Sequence, residues 1–306
     1  MKAVGALIGR NLRLFFRDRM TVFFSLMAAM LLFVLYTLFL GQLQTSDLQE
    51  SFPSAPHREI RAFVDSWMFA GVVSMASITT GLGALGVFVE DASTGRFRDL
   101  LVSPIRPGQL VLGYFGAALI IAVTITLGVL TVSLTYLRLA DGVALPVGAV
   151  ARAVGVMVVT AAAFAAVSAF VTSFVTTPGA YSALCTIVGT TLGFLAGAYV
   201  PVGSFPASAQ AVIGGLPFAQ ASMLMRREFA GEGLDAIAAA DPGARDQLRA
   251  YFGLDLSVGD LPVAAPFVMA SLIGTTVLFA WLGAIRIRRR VTRIGAARRS
   301  AAVART

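Results

Sequence analysis

Lysine, histidine and cysteine each occur once in this 306-residue chain, as Lys2, His57 and Cys185, and charged residues make up only 13% of it. Each scarcity closes off a class of chemistry. A phosphate-cradling Walker loop needs a lysine directly before Ser or Thr, and Lys2 stands beside neither. Zinc sites gather several His and Cys ligands at close spacing, which one of each does not supply. A lone cysteine forms no disulfide within its chain, and Cys185, set in an apolar run, reads as a small packing residue. A convergent His, Asp or Cys group for a membrane enzyme is missing as well. A soluble domain of this length also needs far more charge than this to cover its surface.

What fills the chain instead is apolar: 57% of the residues are hydrophobic and the mean hydropathy is +0.82. Several apolar runs exceed 18 residues, the length that crosses a bilayer at the helical rise per residue. Six spans are predicted, at about 20–41, 66–89, 109–137, 148–174, 180–201 and 262–285. Between them lie a polar segment at 42–65, a basic segment at 90–108, turns near Asp141-Gly142 and Thr177-Pro178-Gly179, and a long loop over 202–261. Ahead of the first span, residues 1–19 place Arg10, Arg13 and Arg17 on one helical face and Val4, Ile8, Leu12, Phe15 and Phe16 opposite, the pattern of a helix lying along the membrane surface. The first apolar stretch is too long for a signal peptide, and no small-residue cleavage motif follows it.

The net charge of +8 is a topology signal rather than a nucleic-acid footprint. Sixteen of the 24 basic residues fall in 1–19, in 90–108 and in the tail 286–306. Most acids fall in the intervening segments on the other side. The positive-inside rule then puts both termini in the cytoplasm, which requires an even number of spans. None of the predicted spans carries an ionisable residue near its middle, and Asp65 and Arg152 lie at span ends. An ion-coupled transporter or channel needs coupling ligands near the midplane, and hydroxyls such as Thr124, Thr160 and Thr190 are what these spans mainly offer. The energy for transport must come from elsewhere.

Two sets of residues stand out. Gly189, Gly193 and Gly197 recur every four residues on the fifth span, a ridge that suits close helix approach within one chain or between two. In 92–103, Ser93 or Thr94 can cap a short helix whose Phe97, Leu100 and Leu101 form an apolar ridge among Arg96, Arg98 and Asp99, and which Pro104 ends. Such a knob suits a groove on a soluble partner, or rests on lipid.

The segment resembles the cytoplasmic loop between the second and third spans of ATP-binding-cassette type-2 permeases, which reads acid-x-x-x-Gly-Thr-Leu-acid-x-Leu-Leu-x-Ser-Pro-hydrophobic. Gly95, Leu100, Leu101, Ser103, Pro104 and Ile105 match. Arg96 replaces Thr, Phe97 replaces Leu, and the acid arrives one place late as Asp99. The importer signature Glu-Ala-Ala is absent. Gly197-Ala-Tyr-Val-Pro201, Phe205-Pro206 and Leu216-Pro217-Phe218 are similar to that family's external helical hairpin before the sixth span. The stretch 231–261 is longer than the family's usual link and adds an external helix, as lid, substrate contact or solvated decoration.

The resemblance implies a single all-α transmembrane domain over 1–306: an interfacial helix, six spans, a coupling helix at 92–103, an external helical hairpin and a basic cytoplasmic tail. It implies an exporter subunit in a bacterial plasma membrane, moving a hydrophobic or amphipathic drug, antibiotic, lipid or peptide. This chain itself binds no cofactor; ATP and Mg are used by separate ATPase subunits that dock on Arg96, Phe97, Arg98, Asp99, Leu100 and Leu101. A second permease chain, identical or related, completes the pore near Gly189, Gly193, Gly197, Phe194, Tyr199 and Phe205.

Overall fold

The computed structural model describes residues 2–96, 105, 107–239, 241–258 and 261–303; at 28, 107 and 287–303 the backbone alone is described. The chain is almost entirely helical. Among the described residues, six helices are long and apolar enough to cross a membrane.

Helix α1 (Lys2–Arg17) buries Leu7, Asn11 and Phe15, one residue per turn along a single stripe, while Arg13 and Arg17 stay outside and Arg10 is half-buried. It lies against α6 (Pro107–Tyr136), where glycines make room: a Cβ on Gly113 would sit 2.6 Å from Leu7 Cβ, and one on Gly116 2.9 Å from Ile8 Cδ1. Asp18 breaks the run and caps the next helix, its carboxylate accepting from the backbone N–H groups of Met20 and Thr21. That helix, α2 (Arg19–Leu35), passes through a π-helical turn at Tyr36–Leu40 into α3 (Gly41–Ser51).

Together they form one rod of 33 residues, about 50 Å long against a hydrocarbon core of about 30 Å. The predicted span 20–41 is therefore a helix that continues well past its apolar stretch. The same holds for α4 (His57–Ala84), which begins nine residues before the predicted span at 66 and so carries Asp65 inside a helix.

Helix α4 is the central post. Most of its residues are buried, by α6, by α7 (Val147–Thr172) and by α10 (Pro217–Ile237). Gly81 lets the backbone of α7 approach, with Ala165 Cα 3.2 Å from where a Cβ would be. A short break at Leu85 leads into α5 (Gly86–Ser93). Helix α8 (Pro178–Leu195) starts on a Thr177 cap with Pro178 in its first turn, and α12 (Ala265–Val303) runs last.

The region 202–261, predicted as a loop with helical pieces, is built of α9 (Ala207–Gly214), α10, α11 (Pro242–Tyr251) and a two-stranded hairpin, β1 (Ser257–Val258) with β2 (Leu261–Pro262). Solvated decoration does not describe residues 252–256, although α11 itself buries none of its residues. Phe252 is buried between Phe63 and Trp67, at ring centroids of 5.0 and 5.4 Å, and its carbonyl accepts from Trp67 Nε1 at 2.7 Å.

Two apolar cores result. One gathers Phe15, Leu85, Phe88, Leu110 and Tyr114 at the end that carries α1, the basal end. The other surrounds Tyr36, Phe63, Trp67, Met223 and Phe252 towards the opposite, distal end. Large apolar side chains on the outside, among them Phe24, Leu31, Leu38, Ile187, Val277 and Trp281, give the bundle the surface that lipid requires.

Candidate functional site

At the basal end, α5 is the root of the segment that sequence reasoning singles out. Its last turn is closed by its own side chains, since the Ser93 and Thr94 hydroxyls both donate to the Glu90 carbonyl, at 3.0 and 2.8 Å. Gly95 then turns with φ +80°, a conformation that glycine adopts without strain. Ser93 and Thr94 thus finish this helix, and the short helix that either is expected to cap lies outside the described residues. The predicted docking residues Phe97, Arg98, Asp99, Leu100 and Leu101 lie outside the described residues. Arg96 is exposed, with Nη1 3.3 Å from Glu90 and 3.7 Å from Asp91.

Asp91 is the centre of this end, and sequence reasoning missed it. Its carboxylate is wholly buried and receives both Nη atoms of Arg10, at 2.7 and 2.9 Å, and the Tyr114 hydroxyl at 2.5 Å. A fork-to-carboxylate pair of this kind fixes orientation as well as position. The bond to Asp91 raises Arg10 above the usual guanidinium value, against the opposing effect of burial. Three elements therefore meet on one carboxylate: the surface helix α1, the root α5 and the start of the span α6. Next to it, a basal cleft of 820 Å³ runs between the α1–α2 corner and α8, with Phe15, Phe24, Tyr181 and Cys185 on its walls.

At the distal end lie the remaining predicted residues. Helix α8 stops at Leu195, six residues before the predicted end of the fifth span. Gly197 is past that end, with φ +68°; the Gly197 N–H returns to the Phe194 carbonyl at 2.9 Å, and that of Ala198 to Gly193 at 3.0 Å. This is a left-handed helix stop, the kind glycine permits. The Tyr199 ring folds back over Gly193 and packs on Phe194 at 4.9 Å, and the Tyr199 carbonyl accepts from the Tyr36 hydroxyl at 3.0 Å. A Cβ on Gly189 would meet nothing within 4 Å. The three glycines thus have three environments and do not make one ridge. Phe205, partly buried, follows the single turn Val202–Ser204, and its carbonyl accepts from Gln210 at 2.7 Å.

The structure adds a residue here that hydropathy hides, Arg226 of α10. It is fully buried, donates from Nη2 to the Ala196 carbonyl at 2.6 Å, and lies 5.5 Å from the Trp67 ring centroid. Gly253, φ +67°, ends α11 on its other side; a Cβ there would be 2.7 Å from Nη1. Two helix C-termini, each the negative pole of its backbone dipoles, therefore face one cation. Burial pulls its guanidinium below the usual value, and it stays charged at neutral pH.

A search of curated proteins finds no match. The family model for ABC-2 family transporter proteins matches residues 42–285, most of the chain, from the polar end of the first span to the last span. This multi-pass helical membrane protein belongs to the ABC-2 transporter family.

Proposed function

We propose that this chain is the membrane subunit of an exporter driven by separate ATPase subunits, with its basal end in the bacterial cytoplasm. The ATPase docks on the segment Arg96–Leu101 and uses ATP and Mg; this chain hydrolyses no nucleotide. Its closure pushes that segment, and the push reaches the spans. The single observation that carries this reading is the carboxylate of Asp91, one turn from the docking segment and tied by short bonds to α1 and α6. A load on 96–101 then moves a surface helix and a span together, because the buried ion pair resists separation.

A second permease copy, or a related chain, completes the pore. The support is α8, of whose residues Gly193 alone is buried within one chain, with Phe194 and Ile187 exposed and Gly189 open to close approach. The cargo is a hydrophobic or amphipathic molecule such as a drug, antibiotic, lipid or peptide.

Purification of the native complex in mild detergent should bring down an ATPase. In the reconstituted complex, Leu100→Asp should uncouple ATP hydrolysis from transport without loss of membrane insertion. Normal coupling in that variant overturns the docking role. The rival reading, an ion-coupled transporter, draws on the buried acids Asp65 and Asp141, and vesicles decide it: transport by the chain alone on an ion gradient, with ATP withheld, favours the rival.

A further inference from the structure

Near its basal end the second span is broken, and a side chain from the fifth span fills the break. Leu85 stands between α4 and α5 with ψ 0°, well off the helical value of about −42°. Its N–H reaches the Leu82 carbonyl at 3.0 Å, three residues back, as in a tightened 3₁₀ turn. In an unbroken helix that carbonyl accepts from Gly86, four residues on. Here the Tyr181 hydroxyl of α8 comes between the two. It donates to the carbonyls of Leu82 and, at 3.1 Å, of Gly83, and its oxygen accepts from the Gly86 N–H.

Glycine makes this reach possible. Gly83 has open space where a Cβ would be, which leaves the carbonyls bare, and a Cβ on Gly86 would lie 3.4 Å from Tyr181 Cε1. On the other side, the Thr177 cap and Pro178 fix the start of α8, and Tyr181 lies one turn beyond it. A side chain inserted into the helical ladder is one of the physical causes of a kink. The insertion also defines an alternative. If Tyr181 withdraws, the Leu82 carbonyl and the Gly86 N–H are stranded between the apolar walls of the basal cleft, which is costly. The two groups can instead bond each other, and that bond makes α4 and α5 one straight helix. One set of hydrogen bonds replaces another, an exchange of small net free energy.

We infer that the α4–α5 break is a hinge and that the Tyr181 hydroxyl is its latch, so that α8 and the root of the docking segment move as a pair. With the latch closed, α5 is bent and α8 forms a wall of the basal cleft. With α8 swung outward, the cleft widens and α5 straightens. The coupling runs both ways, because both elements bias one two-state joint. The latch is internal to the chain and does not depend on the docking reading.

The test is double electron–electron resonance on the purified full chain in nanodiscs, with Cys185→Ala removing the native thiol. One pair of spin labels, on the exposed sites Ser93→Cys and Ser182→Cys, spans the hinge. A second pair, on Glu59→Cys and Ser182→Cys, runs from the distal start of α4 to α8 without crossing it. Tyr181→Phe keeps the ring against Gly86 and takes away the hydroxyl alone. It should lengthen the first distance by about 5 Å and leave the second unchanged. That is the throw of an eight-residue arm, about 12 Å long, through a kink of about 25°. An unchanged first distance overturns the inference. So does an equal shift of both pairs, the mark of a bundle loosened as a whole.

Discussion

Gly197 and Gly189 are eight positions apart and look alike in the sequence, yet the backbone asks different things of them. Gly197 has a positive φ and Arg226 Nη2 stands 2.9 Å from its missing Cβ; Gly189 has open space. Gly197→Ala should therefore lower stability by about 1–2 kcal/mol or more, and Gly189→Ala should leave it unchanged or slightly raised. Thermal unfolding in detergent measures both. Arg226 gives a second contrast. With no carboxylate partner, its charge is held by a carbonyl, an indole ring and two helix ends, so Arg226→Met gives up about as much as it gains, within about 2 kcal/mol. Arg226→Glu sets an anion against both negative poles and should prevent stable folding, read as loss of the folded fraction on gel filtration. A four-residue glycine spacing was legible, but not the helix end at Leu195 that takes Gly197 off the face. The nearest signal is Pro201, since a proline shortly after a glycine marks a helix stop. Arg226 left no signal, because arginine in an apolar stretch reads as surface until the packing around it is known.

Among elements, hydropathy found the spans and misjudged the rods. It reports where lipid ends, whereas a helix ends where its backbone loses partners; Gln42–Ser51 and His57–Asp65 are polar yet helical. The joint between α1, α5 and α6 was out of reach for another reason, since Arg10 and Asp91 are 81 positions apart and no local pattern links them. Arg10→Ala should cost about 3 kcal/mol, because it strands the wholly buried Asp91, and Asp91→Asn should cost less, because Arg10 reaches water. The double change Arg10→Met with Asp91→Leu should cost less than the two single changes combined, which a double-mutant cycle on urea unfolding reads.

The distal helices have their own acid dependence. The hydrogen bond from Arg245 lowers Asp235. Burial pushes Asp255 up, but bonds and charge from Arg249 and Arg227 hold it below the ordinary carboxylate value. Since the folded values are the lower ones, these links contribute fully above about pH 4 and fade as the pH falls through that range and below it. Protection against hydrogen exchange in 242–256, corrected for the intrinsic rate at each pH, should therefore fall below about pH 4 ahead of protection in α4. A uniform fall in both would refute the local origin.

For the whole molecule, the six-span helical plan and the family were open to reading from apolar runs, arginine placement and the motif at 95–105. The distal assembly was not, because α10 is too polar to register as a buried helix and is buried all the same. The further consequence concerns manufacture. Trp67 finds its carbonyl partner at Phe252, 185 residues later, and α10, which covers a side of α4, also follows it by well over a hundred positions. A ribosome making this protein delivers the central post long before its last neighbours. At several residues per second, α4 waits tens of seconds in the bilayer half-clothed, its small side chains and buried serines facing whatever is nearby. Chains cut short after residue 200 should thus reach the membrane and be degraded there, visible as a short pulse-chase half-life beside the full-length product. The order of synthesis makes the final hundred residues the seal on a helix laid down near the beginning.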